Sequence, residues 1–331
     1  MNSITQEKNR DNRFIDLFKL FCSFLIVGIH AEPFADFGMF DYAFGIVTRI
    51  AVPFFFISSS FFLFRKDFSW KRIRKYCVRM AILYCVYSVI YLIADLINGT
   101  FVLNNFLIEF FLSGYKHLWF LHSSIISVLV ISLFVYVLKR EKLLYIISGG
   151  FYVLGLILFT YYPLFREFAL FQAYHKSQIV TVIFERSWVF YGLPYMAIGY
   201  YFSKHKFIGF KSSIIGLIIS VITLVTEGVV GVYLLHTDST VLWMSVIPMS
   251  IFIFSLVASA KINIRFDTRD IRKLSTMIYC IHKLFLPMIE LLNLKYHLVV
   301  FVVVLLLSIL YGLIIVKLSK IKALSFLRYL Y

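Results

Sequence analysis

Lys19 and His30 stand eleven residues apart in an apolar run that opens Arg13-Phe14-Ile15-Asp16. At 100° per residue that separation falls about 20° from three full turns, so a helix puts both on one face, about 16 Å apart along its axis. Asp16 falls within about 40° of the His30 stripe. A carboxylate, a cation and an imidazole on one face could move a proton, with His30 as the general base near neutral pH. The plainer reading has Arg13 and Lys19 reaching back to headgroups and His30 at the opposite interface. A second imidazole, His282, stands beside Lys283 about nine residues into another apolar run, with Glu290 beyond. A His–Lys pair at that depth is expected to face a wet or reactive cavity. Arg49 opens Arg49-Ile50-Ala51-Val52-Pro53, followed by Ser58, Ser59 and Ser60. It is either an interfacial anchor or a fixed cation where negative charge develops. Pro53 is expected to loosen the helix, and the serines suit close helix packing. The stretch 65–75 gathers Arg72, Arg74 and Lys75 with three further basic residues. It reads either as an anchor to lipid headgroups or as a dock for a phosphorylated ligand, whose oxygens suit Arg forks.

The elements that carry these residues must be membrane helices. The chain has 331 residues, 61% hydrophobic and 15% charged. A soluble domain is about 25% charged and could not hide this much apolar surface. With only 15 Gly and 6 Pro, the chain is neither disordered nor collagen-like. Runs 117–138, 143–165, 239–260 and 296–316 contain no Asp, Glu, Lys or Arg. A spanning helix needs roughly 20 apolar residues, whereas barrel strands alternate in segments of about 10. Ten helices are expected, near 14–31, 46–64, 76–97, 118–138, 143–162, 187–203, 208–226, 240–260, 274–293 and 297–317. The fold class is an all-α polytopic membrane protein.

With the amino terminus inside, the inner segments hold 24 Lys/Arg and the outer loops five: Lys116, Arg166, Lys176, Arg186 and Lys295. That asymmetry places both termini in the cytoplasm. The net charge of +16 is therefore first a topology signal, and no nucleic acid is expected. Cys22, Cys77, Cys85 and Cys280 form no CxxC pair, so neither a disulfide framework nor a metal site is indicated. Ala31-Glu32-Pro33 is a poor cleavage site, so the first apolar run reads as a retained helix. The connecting loops are too short for a core of their own. Residues 1–331 read as a single membrane-embedded domain with no separate soluble part.

Several segments, taken in order, resemble the integral-membrane acyltransferase family 3, the bacterial multi-pass enzymes that O-acetylate surface polysaccharides. The family's basic residue, ten residues, then His is here Lys19 to His30, with Asp16 before it. Lys replaces the commoner Arg. The pattern R-x-x-V-P-x-F-F-x-I-S-G resembles Arg49 onward, with Ser59 where Gly is usual. Arg72-Ile73-Arg74 matches the basic Arg-x-Arg. His117 to Leu121 matches H-L-W-F-L and includes Trp119, read on its own as a belt residue. Arg186 to Gly199 resembles the sixth helix, and Ile278-Tyr279-Cys280-Ile281-His282 matches I-Y-x-I-H. The similarity spans about residues 13–290.

The resemblance implies acetyl-CoA as cytoplasmic donor, with Arg72, Arg74 and Lys75 receiving its phosphates. It implies a glycan or lipid-linked oligosaccharide acceptor on the outer side of a bacterial inner membrane. His30 would act as base, with Lys19, Arg49 and His282 as its catalytic neighbours and Asp16, Trp119, Arg186 and Tyr279 in support. These residues are expected around one polar cavity. Direct transfer and a covalent acetyl-histidine step both remain open. A competing reading is a transporter of a small solute or glycan intermediate, since some relatives are attached to amino-acid racemases and are thought to serve uptake. No inverted repeat supports it. An accessory protein of glycan assembly is a third reading. His30 discriminates, because only the enzyme needs a titrating base there.

Overall fold

The computed structural model describes residues 13–168, 172, 186–235, 242–260, 262, 264–290, 292, 294 and 296–331. Residues 1–12, Lys176, Lys261 and Lys295, all part of the charge asymmetry, lie outside the described residues. Among the described residues the chain is helical throughout, with no strand. The helices are α1 (Arg13–Ala31), α2 (Met39–Thr48), α3 (Ala51–Phe64), α4 (Trp70–Ile97), α5 (Leu103–Ile108), α6 (Trp119–Ser132), α7 (Glu141–Gly155) and α8 (Tyr162–Phe165). They continue as α9 (Leu193–Lys204), α10 (Phe210–Val229), α11 (Val246–Ser259), α12 (Arg269–Glu290) and α13 (His297–Leu318). One π-helical turn, Trp188–Gly192, leads into α9.

Among the described residues, seven helical stretches are long and apolar enough to cross a membrane: Arg13–Ala31, Met39–Phe64, Trp70–Ile97, Trp119–Val137, Glu141–Thr160, Phe210–Val229 and His297–Leu318. The other three expected segments are helical too, but they differ in kind. α9 and α11 are shorter than a full span, and α12 opens with Arg269, Asp270, Arg272 and Lys273. Two boundaries also move. The chain turns at Arg49–Ile50, so Pro53 sits in the first turn of α3, where its missing amide costs little. The missing Pro53 amide is the one that would bond the Arg49 carbonyl, so the loosening expected of Pro53 falls at this turn within the helical stretch Met39–Phe64. α4 begins at Trp70, so Arg72, Arg74 and Lys75 lie on its first turns rather than in a loop. At 28 residues it is about 42 Å long, which leaves those turns beyond a hydrocarbon core of about 30 Å.

The chain forms two compact units, the division falling inside α3, α4 and α11 and between Phe101 and Val102. The first takes the described residues of Phe56–Ala81 and Val102–Leu256; the second takes those of Asn9–Phe55, Ile82–Phe101 and Val257–Tyr331. In the second unit α12 packs on α13 and α1, and α1 also meets α13 and α2. Val27, Ala31, Ile278, Leu286, Ile289 and Val304 form its buried core. Gly28 is needed there, because a Cβ would come within 2.4 Å of the Phe44 ring.

In the first unit α9 and its π-helical turn pack on α6 and α7. Phe56 joins this core, with its ring 4.7 Å from Phe120 and 6.0 Å from Tyr191. Glu227 near the end of α10 holds the start of α11. Its carboxylate accepts from the Met244 amide at 2.7 Å, the Ser245 amide at 2.8 Å, and the Ser245 and Tyr161 hydroxyls. These amides stand just before α11, where a helix has no carbonyl partners of its own. Tyr152 secures the same stretch by donating to the Trp243 carbonyl at 2.8 Å.

Glu227→Ala is therefore expected to lower the melting temperature in detergent. Glu227 is half-buried, and a hydrogen bond to a charged group contributes about 1.5–3 kcal/mol. Glu227→Gln, which keeps one acceptor oxygen, is expected to lose less. Equal melting of all three proteins would contradict the clasp.

Candidate active site

Asp16, Lys19, His30, Arg49, Tyr279 and His282 all fall in the second unit. The structure brings His30 and His282 together across α1 and α12, their rings stacked with centroids 5.2 Å apart and planes 29° apart. His282 is fully buried and His30 half-buried. The His282 Nδ1 lies 3.1 Å from the Ile278 carbonyl and 2.9 Å from the Tyr279 carbonyl. A carbonyl only accepts, so Nδ1 carries the hydrogen and Nε2 the lone pair. Those contacts fix both the tautomer and the tilt of the ring. Tyr279 is buried beside it, its ring centroid 6.5 Å from that of His282 and 6.4 Å from that of Phe55. Tyr91 of α4 donates to the Cys280 carbonyl at 2.9 Å and steadies the same turn of α12.

Asp16 is buried, at 3% exposure, near the start of α1. The Arg272 guanidinium grips it in two places, Nε to Oδ1 at 3.0 Å and Nη2 to Oδ2 at 3.1 Å. The Thr268 hydroxyl donates to Oδ2 at 2.7 Å. Lys19, one turn on, is buried rather than extended to the surface. Arg13 donates from Nη1 to the Ile264 carbonyl at 2.7 Å. Arg49 is half-buried at the turn between α2 and α3, its amide donating to the Ile46 and Val47 carbonyls.

The remaining expected residues, Arg72, Arg74, Lys75, Trp119 and Arg186, fall in the first unit. Arg72 is half-buried and donates from Nη1 to the Asp67 carbonyl at 2.9 Å, while Arg74 and Lys75 are exposed. Beside this stretch Phe68 stacks on Tyr136 with centroids 3.7 Å apart. Trp119 departs from the belt reading: it is buried, edge-on to Tyr191 with centroids 5.2 Å apart. The cause is Gly114, whose φ of +101° folds the preceding chain tightly against it. Arg186 is half-buried just ahead of the π-helical turn.

Three residues that matter escaped the reading of the sequence. Arg272 and Thr268 sit in segment 261–273, whose charge read as topology alone. Glu227 is one acid in a long apolar stretch, which was itself a signal.

The family described as an acyltransferase domain, acyltransferase family 3, matches residues 12–317, and the chain belongs to it. Two Enterococcus faecalis proteins, each named an amino-acid racemase, are also similar. One is 27% identical over 205 residues and the other 30% identical over 208. These matches cover 59% and 58% of this chain but 29% of each relative, so the chain spans under a third of the length of the curated relatives it matches. No solved structure matches.

The seat of Trp119 can be tested with two glycines. Gly99 and Gly114 both have positive φ, but a Cβ at Gly99 meets nothing within 4 Å, whereas at Gly114 it comes 2.3 Å from the Trp119 Cα. Gly99→Ala is expected to cost about 1–2 kcal/mol from backbone strain alone. Gly114→Ala is expected to cost clearly more. Equal melting temperatures for the two variants would contradict this packing.

Proposed function

We propose that the chain is a multi-pass O-acyltransferase of a bacterial inner membrane, with ten spans and both termini cytoplasmic. It moves an acetyl group from cytoplasmic acetyl-CoA to a hydroxyl of a cell-surface or lipid-linked glycan. The observation that carries this reading is the stacked His30–His282 pair inside a chain of an acyltransferase family. An imidazole pair with one fixed tautomer suits proton transfer more than it suits packing.

In the proposed reaction His30 takes the proton of the acceptor hydroxyl. The oxygen attacks the thioester carbonyl carbon, a C–O bond forms, and the C–S bond breaks. The CoA sulfur leaves as thiolate and takes the proton from His30, so the products are the acetyl ester and free CoA, and the base is neutral again. His282, held by its Nδ1 contacts, orients the His30 ring from the stacked side. Arg49 or His282 stabilises the charge of the oxyanion, while Lys19 stands on the inner half of α1. Arg72, Arg74 and Lys75 bind the donor's phosphates, and the exposure of Arg74 and Lys75 supports that role. Asp16, Trp119, Arg186 and Tyr279 act in support.

A second reading is that the chain moves a small solute, such as the amino acids that the matched relatives' name concerns, or a glycan intermediate. One experiment separates the two. Membranes carrying wild type or His30→Ala at matched expression are given radiolabelled acetyl-CoA, and label in surface glycan is counted. Loss of the base is expected to lower incorporation at least 100-fold, the usual scale for general-base catalysis. Equal incorporation by both proteins would overturn His30 as the base. No incorporation by wild type, with uptake of labelled amino acid into the same vesicles, would favour transport.

A further inference from the structure

The spacing along α1 and α12 is the same. Asp16 and His30 are fourteen residues apart, and so are Thr268 and His282. Thr268 meets Asp16 and His282 meets His30, so the two helices run parallel and in step, each rising about 21 Å between its two contacts. Between these ends the packed side chains include the apolar Leu20, Phe24, Val27, Leu274 and Ile278, alongside the buried Lys19 and Ser23 of α1 and Ser275 of α12. Apolar contact is non-directional and tolerates sliding. A two-point guanidinium–carboxylate grip does not. A slip of one residue would shift one helix by about 1.5 Å and turn its side chains by about 100°, which unstacks the rings.

We propose that Arg272, with Thr268, is a positioning residue: by gripping Asp16 it sets the register at which His30 meets His282. Arg272 touches neither ring. It acts through the rigid pair of helices, and Asp16 is its handle on α1. The need for a fork makes Lys a poor substitute, since an ammonium is a point charge without the paired donors. Thr268 adds a third donor to the same carboxylate and narrows its rotation. The kinetic consequence rests on the acyl-transfer reading; the register itself does not.

The test uses the full chain in lipid nanodiscs, with its native cysteines replaced and spin labels at Ile29→Cys on α1 and Met288→Cys on α12. Both positions are exposed. The distance distribution between the labels reads the register without any activity. A single narrow distribution is expected with Asp16 and Arg272 intact. Arg272→Lys and Asp16→Asn are each expected to broaden it or shift it by 1 Å or more. Transfer assays on the same variants are expected to show kcat down about tenfold with the donor KM unchanged, because register alters chemistry rather than donor binding. Unchanged distributions in both variants would overturn the proposal. So would a raised donor KM with kcat intact. Shifted distributions in a protein whose wild type transfers no acetyl would uphold the register role and overturn the acyl-transfer reading instead.

Discussion

A polar side chain inside a membrane bundle persists only where a partner meets it, because lipid offers none. In the second unit that constraint organises two helices 238 residues or more apart in sequence. α1 brings a carboxylate and an imidazole; α12 brings a guanidinium and a second imidazole, and Thr268 just before it brings a hydroxyl. Asp16 meets Thr268 and Arg272, and His30 meets His282. The apolar side chains between them supply adhesion, and the polar ends supply direction. Were either end lost, the remaining contacts would still hold the helices together but would no longer choose one alignment.

The same division of labour recurs in the first unit. Stacked and edge-on aromatic rings fill the space between α6, α9 and the π-helical turn, while directional bonds occur at a few places only. Glu227 is the clearest of these, one carboxylate serving the otherwise orphaned amides before α11. Two carboxylates that clamp a second helix, the buried Asp16 and the half-buried Glu227, are each held by several donors at once. The basic stretch at the start of α4 differs: Arg74 and Lys75 are exposed.

Much of this was legible in the sequence for a simple reason. His30, His282, Lys19 and Asp16 are conspicuous because their surroundings are so apolar, and helical periodicity alone groups three of them. The pairing of His30 with His282 was not legible, since no local rule connects residues 252 positions apart. Arg272 was hidden by its setting: among many inner cations, the one that grips a carboxylate looks like the others. Trp119 misled because a Trp at a helix start suits an interface equally well, and only the backbone at Gly114 shows that it turns inward. The loosening at Pro53 was legible, since a proline has no amide to bond the carbonyl four residues back, and the chain turns at Arg49–Ile50.

The account stands on His30 and His282 acting as one unit, and a double-mutant cycle tests that most directly. Acetyl transfer would be measured for His30→Gln, His282→Gln and the double variant in matched membranes, with the fall in kcat/KM expressed as free energy. If the rings work together, the double variant will be about as slow as the slower single variant. If the two losses simply add, the rings act independently, and their stacking is packing without a catalytic role.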